Sequence, residues 1–200
     1  ALRDEPKHFI TKLRRTRYTE RVFLRELRKQ GNEFSDYMDH AVNEYIVRRM
    51  SRGGLKKAFA WSERKRGGIP GDVNAWNTML AQLPLIGRRI EDTSIFNKPA
   101  VEVLKAFNEE TTLCYCDPPY LHDTRTSTDS YEENEMPTDD HIELSEVLSQ
   151  YRGKVIVSGY PSVHYKRLYK EWNCVKKKIA NHASQQKTKA YNTECLWMNY

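Results

Sequence analysis

Apolar side chains recur every three or four residues through the first part of the chain, with charged residues between them. This spacing predicts amphipathic helices. Gly31-Asn32 separates the first helix from a second over about 35–50, for which Ser35 is the predicted N-cap. A third helix is expected over 76–89. Between the second and third helices, glycine pairs bracket a basic and aromatic stretch, which predicts a loop or hairpin at about 51–71.

The second part alternates short apolar runs with helical patterns, which is typical of an α/β domain. A strand, a helix and a strand in that order predict a right-handed parallel crossover, and two closing apolar runs joined directly predict an antiparallel hairpin. We therefore expect part of a doubly wound sheet with a C-terminal hairpin over 93–200, preceded by a mostly helical region over 1–92. The predicted strands are 94–96, 112–116, 154–160, 174–180 and 193–200, and the predicted helices are 100–107, 139–151 with Thr138 as its cap, and 162–172.

The composition predicts a soluble globular protein. Hydrophobic residues make up 38% of the 200 residues and charged residues 30%, which leaves enough apolar material for a core. No run approaches the roughly 18 apolar residues of a membrane span, and the start does not resemble a signal peptide. The four cysteines have neither CxxC spacing nor histidine partners, so we expect small buried thiols in a reducing cytoplasm and no metal site.

The net charge of +6 conceals a strong segregation of charge along the chain. Residues 1–70 carry 18 basic and 9 acidic side chains, residues 71–150 carry 5 and 16, and residues 151–200 carry 10 and 2. Two basic segments around an acidic middle favour a polyanion such as nucleic acid as the partner. In the basic loop, lysine and arginine can meet phosphates, while Phe59 and Trp61 can pack or stack on bases. The alternative is an ordinary surface loop anchored by one buried tryptophan.

The tetrapeptide Asp117-Pro118-Pro119-Tyr120 directly follows the apolar run 112–116, whose continuous pattern predicts a strand buried on both faces. In doubly wound sheets, chemistry takes place at the carboxyl ends of the parallel strands. Each proline removes an N–H and restricts the backbone, so the Pro118 carbonyl can face a site to which its own nitrogen donates nothing. A carboxylate acceptor, a fixed carbonyl acceptor and the aromatic face of Tyr120 together suit a planar base with an exocyclic amine.

The chemistry of such an amine explains the need for these groups. Its lone pair is conjugated into the ring and is a poor nucleophile. If Asp117 and the Pro118 carbonyl accept its two hydrogens, a pyramidal nitrogen is favoured, with its lone pair aligned on a methyl donor. A base within a duplex must be flipped out, and stacking on Tyr120 offsets about 1–3 kcal/mol of that cost. Asp-Pro also commonly opens turns, but the preceding strand and the basic flanks favour the catalytic interpretation.

The chain resembles the Dam-type, or D12-class, DNA adenine methylases along most of its length. The resemblance implies a target-recognition region over 1–92 and a Rossmann-like methyltransferase region over 93–200. It also implies S-adenosylmethionine as the methyl donor and the N6 amine of a flipped adenine in double-stranded DNA as the acceptor. Four segments carry it, in the family's order: the helical opening with its basic loop and Trp61-Ser62, then 115–121 with the tail Asp123-Thr124-Arg125, then 155–160, and finally 193–199.

The resemblance also implies the roles of individual residues. The catalytic set is Asp117, Pro118, Pro119 and Tyr120, and the base pocket includes Thr124, Arg125 and Tyr160. Tyr160 is explained equally well as a structural aromatic. The family further implies sequence-specific methylation in a prokaryotic or phage setting, such as restriction-modification. The residues expected to contact DNA are Arg48, Arg49, Arg52, Lys56, Lys57, Arg64, Lys65 and Arg66.

Two departures from the family pattern concern the methyl donor. The aromatic and glycine-rich donor loop, and the acidic residue that follows it, do not occur in the chain. Asn97-Lys98-Pro99 stands where the family often has an acid that holds the donor's adenine, so the donor-binding candidates are Phe96, Asn97 and Asp117. We therefore expect donor binding to be completed by a missing N-terminal segment or by a complementary chain, as in a fragment or one half of a split enzyme.

Three other functions stay open. N4 methylation of cytosine poses the same chemical problem, but the family tends to have serine in place of Asp117 for cytosine, which favours adenine. An adenine in RNA is chemically open, although the helical insert favours DNA. The third alternative is a DNA-binding module with no activity of its own. The missing donor loop is the best support for that interpretation.

Overall fold

The computed structural model describes residues 1–121, 135–180 and 191–200. The chain divides into two compact units, Ala1–Ile95 and Phe96–Tyr200, and each has its own hydrophobic core. No helix among the described residues is long and apolar enough to cross a membrane.

The first unit begins with three helices, α1 (Pro6–Arg14), α2 (Glu20–Leu27) and α3 (Tyr37–Met50). The single helix predicted before Gly31 is therefore wrong, because the chain stops being helical after Arg14 and restarts behind the N-cap Thr19. The predicted cap Ser35 is also wrong by one residue. The carboxylate of Asp36 accepts a hydrogen bond from the backbone N–H of Met38 and caps α3 instead.

The basic loop leads into a hairpin and a long helix. A 3-10 turn (Arg52–Gly54) is followed by β1 (Lys65–Arg66) and β2 (Ile69–Pro70), which pair antiparallel. Gly67 and Gly68 form the connecting turn with φ of 57° and 80°, the left-handed conformation that a tight hairpin turn requires. Helix α4 spans Gly71–Ile90 and so begins five residues before the predicted start, because its polar first turn lacks the apolar spacing that reveals the rest.

Buried faces of the four helices form the core of the first unit. Burying an aliphatic or aromatic side chain of this kind contributes about 1.5–3 kcal/mol. The side chains that make up this core are Phe9, Ile10, Leu13, Phe23, Met38, Ile46, Val47, Met50, Trp76, Leu80 and Leu83.

An ion cluster around the buried carboxylate of Glu26 ties α2 to α3. The carboxylate of Glu26 accepts hydrogen bonds from Arg25 at 2.8 Å, from Lys29 at 2.9 Å and from Asn43 at 3.0 Å. Asn43 also donates to the Glu26 carbonyl at 2.8 Å. Burial raises the pKa of Glu26, but the hydrogen bonds from Lys29, Asn43 and Arg25 outweigh this effect and lower it. The cluster is therefore stabilised by the ionised carboxylate.

The second unit contains a mixed four-stranded sheet in the order β3-β4-β6-β5. Its strands are β3 (Leu113–Cys116), β4 (Lys154–Gly159), β5 (Asn173–Ala180) and β6 (Tyr191–Met198). The parallel pairing of β3 with β4 and the antiparallel closing hairpin of β5 and β6 are confirmed. β4 also pairs antiparallel with β6. The doubly wound wiring of a complete sheet stays a prediction.

Three expectations for the second unit are corrected. Residues 94–96 form no strand, and Ile95 and Phe96 are exposed, since a three-residue extended segment needs a neighbouring strand to satisfy its backbone. The strand β3 is not buried on both faces, because among the described strands it lies at the sheet edge with Leu113 and Tyr115 exposed. Cys174 is exposed on the opposite edge strand, whereas Cys195 is buried as expected.

Three helices accompany the sheet, α5 (Ala100–Ala106), α6 (Thr138–Ser149) and α7 (Val163–Leu168). Thr138 is the first residue of α6 and makes no capping hydrogen bond, because Pro137 occupies the cap position. Ser162 caps α7, which ends four residues before the predicted end. The core of this unit consists of Leu104, Leu121, Leu144, Leu148, Tyr151, Val155, Val157, Tyr165, Tyr169, Cys195 and Trp197.

Candidate active site

The motif Asp117–Tyr120 leaves the carboxyl end of β3, beside the carboxyl end of β4. Cys116 is in register with Val157, so Asp117 follows β3 at the level of Ser158. The Ser158 hydroxyl donates a hydrogen bond to Oδ1 of Asp117 at 2.7 Å and lies 3.2 Å from the Cys116 carbonyl oxygen. Ser158 is almost fully buried, while Asp117 is exposed. An anchored donor therefore orients a carboxylate whose surface stays open to a ligand.

Two tyrosines stand at the same edge of the sheet, one from each strand end. The rings of Tyr120 and Tyr160 are 4.7 Å apart between centroids and meet edge to face at 77°. Burial raises the pKa of Tyr120, so its hydroxyl stays protonated at neutral pH. The pair forms an aromatic corner next to Asp117, and the alternatives of pocket wall and structural aromatic for Tyr160 stay open.

A buried histidine lies behind the motif. His141, in the first turn of α6, has 1% of its surface exposed, and its Nδ1 is 3.0 Å from the Tyr165 hydroxyl. Burial lowers the pKa of His141, although the backbone carbonyls of Met136 and Pro119 act in the opposite direction. The ring is therefore neutral at pH 7 and adjoins the motif's own backbone.

Sequence reasoning missed three of these residues as site components, namely Ser158, His141 and Tyr165. Each belongs to an element that the sequence predicts correctly. Ser158 and His141 lie next to the motif and Tyr165 contacts His141, and in each case the two partners are 22 or more positions apart in the sequence. A serine at the end of a strand parallel to the motif strand was a usable signal, because the ends of parallel strands converge. A histidine in the polar first turn of α6 carried no comparable signal.

The thiols of Cys114 and Cys116 lie on the inner face of β3, just before the motif. Their sulfur atoms are 3.4 Å apart, as expected for residues two apart on a strand. The hydrogen bond with Cys114 and burial both raise the pKa of Cys116, so Cys116 remains a thiol at neutral pH. These properties suit packing beneath the motif, and the proposed chemistry requires no thiolate nucleophile.

The donor-binding candidates Phe96 and Asn97 are exposed. The Phe96 ring packs on Phe107 at 5.5 Å between centroids. Among the described residues, no hydrogen bond links Asn97 or Phe96 to Asp117. An exposed ring and an exposed amide are chemically suited to an adenine, and their part in donor binding stays a prediction.

The basic residues of the first unit fall into two groups. Arg48 and Lys56 both pair with Glu44, at 2.5 and 2.8 Å. Lys56 has a positive φ of 58°, and its backbone N–H donates to the Ser51 hydroxyl at 3.0 Å. This conformation is unfavourable for a residue with a Cβ, so the surrounding contacts must hold it. Lys56 therefore ties the loop to α3 through Glu44, whereas Arg48 pairs with Glu44 within α3.

The second group of basic residues is exposed, and two of its members lie beside an aromatic surface. Arg49 and Arg52 line a cavity of about 410 Å³ together with Trp61 and Asp72. The Trp61 ring is 52% exposed and stacks on Phe59 at 6.4 Å. The alternative of a buried tryptophan as loop anchor is therefore wrong: Phe59 packs inward and Trp61 presents a free face. The other exposed basic residues of the predicted set are Lys57, Arg64 and Lys65.

Three predicted positions cannot be placed. Thr124 and Arg125 lie outside the described residues, as does the side chain of Arg66. Within the described ranges, no group of three or more histidine, cysteine, aspartate or glutamate side chains is arranged to hold a metal ion.

Residues 2–188 match the family model described as D12 class N6 adenine-specific DNA methyltransferase. No curated protein matches the chain. A mixed α/β unit with a small mixed sheet is consistent with a methyltransferase fold.

Proposed function

The chain belongs to the D12 class of N6 adenine-specific DNA methyltransferases, and we propose that Asp117, Pro118 and Tyr120 bind the amine and the ring of its target adenine. Membership of this family implies S-adenosylmethionine as the methyl donor and DNA as the substrate. The observation that carries the proposal is the hydrogen bond from the buried Ser158 to the exposed Asp117. It orients an acceptor at the shared end of two parallel strands, beside an aromatic corner.

The two acceptors activate the amine by orienting its lone pair. The carboxylate of Asp117 accepts one hydrogen of the N6 amine and the Pro118 carbonyl accepts the other, so the nitrogen lone pair leaves conjugation with the ring. The lone pair then points along one line toward the methyl carbon. Positioning of this kind supplies most of the rate enhancement, and no covalent enzyme intermediate is needed.

The aromatic corner holds the base after it leaves the duplex. Flipping a base costs a few kcal/mol, and a base–aromatic stack recovers about 1–3 kcal/mol of it. The face of Tyr120 is the proposed stacking surface. Tyr160, edge to face against it at 4.7 Å, limits how far that ring can rotate.

The methyl donor supplies an electrophilic methyl group on a positively charged sulfur. Phe96 offers an exposed aromatic face for its adenine and Asn97 an exposed amide for its hydrogen-bonding edge, while Asp117 attracts its positive charge. These assignments rest on the resemblance to the family and on the chemistry of the side chains.

The first unit is the proposed DNA-recognition region. Its exposed basic residues suit phosphate contacts, and the free face of Trp61 suits an unpaired or distorted base. Arg48 and Lys56 are the exceptions in the predicted set, because both pair with the carboxylate of Glu44.

A methyl-transfer assay tests the catalytic proposal. The chain, together with the donor-binding segment or complementary chain expected from its sequence, is incubated with labelled S-adenosylmethionine and duplex DNA, and the labelled nucleoside is identified by chromatography. Asp117→Ala is expected to abolish transfer, whereas Glu171→Ala, which removes an exposed carboxylate 3.7 Å from the Lys170 ammonium, should leave it unchanged. Labelled N6-methyladenine is the expected product.

Other outcomes of the same assay contradict the proposal in distinct ways. Labelled N4-methylcytosine overturns the choice of base. Salt-sensitive DNA binding without transfer by the parent chain indicates a binding module. Transfer that survives Asp117→Ala removes this carboxylate from the reaction.

Salt dependence of binding tests the DNA side. Each lost phosphate contact should lower the slope of log K against log salt by about 0.9 for duplex DNA. Replacing Arg64 and Lys65 by alanine should therefore lower it by nearly two and weaken binding. Arg48→Ala, which removes a charge already paired with Glu44, should change the slope less. Equal slopes for the parent chain and the double variant would exclude the hairpin from the interface.

A further inference from the structure

The motif has an unusual shortage of hydrogen-bond donors, and this determines how it can be held. Pro118 and Pro119 have no backbone N–H, so two of the four residues can be anchored only through their carbonyl oxygens. The Ser158 hydroxyl anchors Asp117 at the start of the motif. Its later part requires a donor from elsewhere in the fold.

His141 is the side chain placed to provide that donor. It is 1% exposed, and its ring adjoins the carbonyls of Pro119 and Met136. Its Nε2 is buried and, among the described residues, completes no hydrogen bond of normal length and angle. A buried ring nitrogen without a completed hydrogen bond is costly, and donation to one of the two carbonyls near the ring would remove that cost.

Given the proposed function, we propose that Tyr165 and His141 form a relay that positions the motif. The Tyr165 hydroxyl donates to Nδ1 of His141, and Nε2–H of His141 donates to the Pro119 carbonyl. His141 acts as a positioning residue, because it fixes the Pro119–Tyr120 peptide and, through it, the plane of the Tyr120 ring.

The assignment of protons follows from the neighbours of the ring. Burial lowers the pKa of His141, so the imidazole is neutral and carries a single proton. Nδ1 already has the Tyr165 hydroxyl as a partner, so we assign the proton to Nε2, which can donate it to a carbonyl oxygen. Nδ1 is then an acceptor, and the Tyr165 hydroxyl, 3.0 Å away, must donate. Burial raises the pKa of Tyr165, which keeps its hydroxyl proton in place.

The Tyr165 ring is itself fixed against the strand that carries Ser158. A Cβ at Gly159 would lie 2.5 Å from Cε2 of Tyr165, so only glycine at this position lets the ring approach so closely. Trp197 meets the same ring edge to face at 5.0 Å. Both ends of the motif are therefore positioned relative to β4, one through Ser158 and one through Tyr165 and His141.

Steady-state methyl transfer with matched tyrosine variants tests the relay. Tyr165→Phe and Tyr169→Phe each remove one hydroxyl from the same buried aromatic cluster, where the two rings are 5.5 Å apart. Because misplacing a reacting group by about 1 Å can cost on the order of 100-fold, we expect Tyr165→Phe to lower kcat about 10-fold or more. The KM for DNA should stay unchanged, and Tyr169→Phe should leave kcat near the parent value. Equal kcat values for the two variants overturn the relay.

A second pair of variants separates donation from packing. His141→Gln keeps an N–H donor that can reach the Pro119 carbonyl, whereas His141→Met keeps the volume without a donor. Gln should recover most of the kcat that Met loses, with both variants folded by circular dichroism. A kcat for Gln as low as that for Met overturns the role of the donor.

The tautomer of His141 is tested without activity. In 15N spectra of histidine-labelled chain, the signals lost in His141→Gln identify this ring, and the relay requires a proton on Nε2 and a bare Nδ1. A proton on Nδ1 overturns the relay even in an active enzyme. A parent chain that transfers no methyl group to any DNA contradicts the proposed function instead, and the tautomer measurement still decides the relay.

Discussion

Replacing Ser158 by alanine is the sharpest test of how the fold prepares the proposed catalytic carboxylate. The hydroxyl donates to Oδ1 of Asp117 at 2.7 Å from a strand position that is 3% exposed. Alanine is close in size and is compatible with β4, so the substitution removes one donor and leaves the packing of the strand nearly intact.

The expected effect on stability is small. A hydrogen bond to a charged group is worth about 1.5–3 kcal/mol when both partners are shielded from water. Asp117 is exposed, so its carboxylate regains water when the hydroxyl is lost, and the net loss should be about 1 kcal/mol or less. The free energy of unfolding, measured with urea, should therefore change little.

The expected effect on catalysis is large by comparison. Without Ser158 the Asp117 carboxylate rotates freely, and the two acceptors no longer meet both amine hydrogens. A loss of alignment of this kind should lower kcat about 10- to 100-fold, equivalent to about 1.4–2.7 kcal/mol of activation free energy. The combination of low kcat and nearly unchanged stability is the signature of a lost orienting contact.

Ser145→Ala is the matched control for this experiment. Ser145 is also a buried serine of the second unit, but its hydroxyl donates to the Ile142 carbonyl within α6 at 2.8 Å, and no hydrogen bond among the described residues links it to the motif. It should retain the parent kcat. If Ser158→Ala keeps kcat within about twofold of the parent, or if Ser145→Ala loses as much, the argument that Ser158 orients Asp117 is refuted.

Three further substitutions test the packing and ionisation of the two units. Glu26→Gln should lower the free energy of unfolding in urea at neutral pH and flatten its pH dependence. The pKa of Glu26 in the folded state is lowered from its ordinary value of 4.5, so the ionised carboxylate stabilises the fold above pH 4.5, and this stabilisation is lost as the pH falls further. Identical pH profiles for both proteins would contradict this. Gly159→Ala should cost about 1–3 kcal/mol, since its Cβ would overlap the immobile Tyr165 ring, and an unchanged melting temperature would show that the ring can move. Asn199→Ala should cost about 1–2 kcal/mol in urea unfolding by leaving the Val155 N–H, now 2.8 Å from the amide oxygen, without its acceptor.

The order and type of most regular elements could be predicted from the sequence. Hydrophobic spacing reveals α3, α4 and α6, and continuous apolar runs reveal β3 and β4, because each of these elements buries a face whose period the chain must respect. Their ends were less predictable. The polar first turn of α4 and the cap at Asp36 depend on local hydrogen bonds that leave no apolar pattern.

At 94–96 the sequence predicts a strand that the structure does not form. Its apolar residues suit a strand, but an extended segment becomes a strand only when a neighbour accepts and donates its backbone hydrogen bonds. The exposed aromatic Trp61 and the inward Phe59 could not be told apart for a similar reason. Both are aromatic residues in a basic loop, and only the packing of Phe59 on Phe23 and Tyr18 decides which one turns inward.

The proposed catalytic chemistry, in contrast, lies within four consecutive residues. A carboxylate, two prolines and a tyrosine after a strand limit the possible ligands through properties of the residues themselves, so this part of the proposed site could be inferred from the sequence alone. The sequence also determined the segregation of charge that favours a nucleic-acid partner.

Only the tertiary structure decided what holds those four residues in place. Ser158 reaches Asp117 across 41 positions because Cys116 pairs in parallel register with Val157, and Tyr165 reaches His141 across 24 because Gly159 leaves room for its ring. Such contacts depend on strand register and on steric fit between distant segments. Neither property is encoded in the local pattern of any one segment, so the motif could be recognised in the sequence while its supports could not.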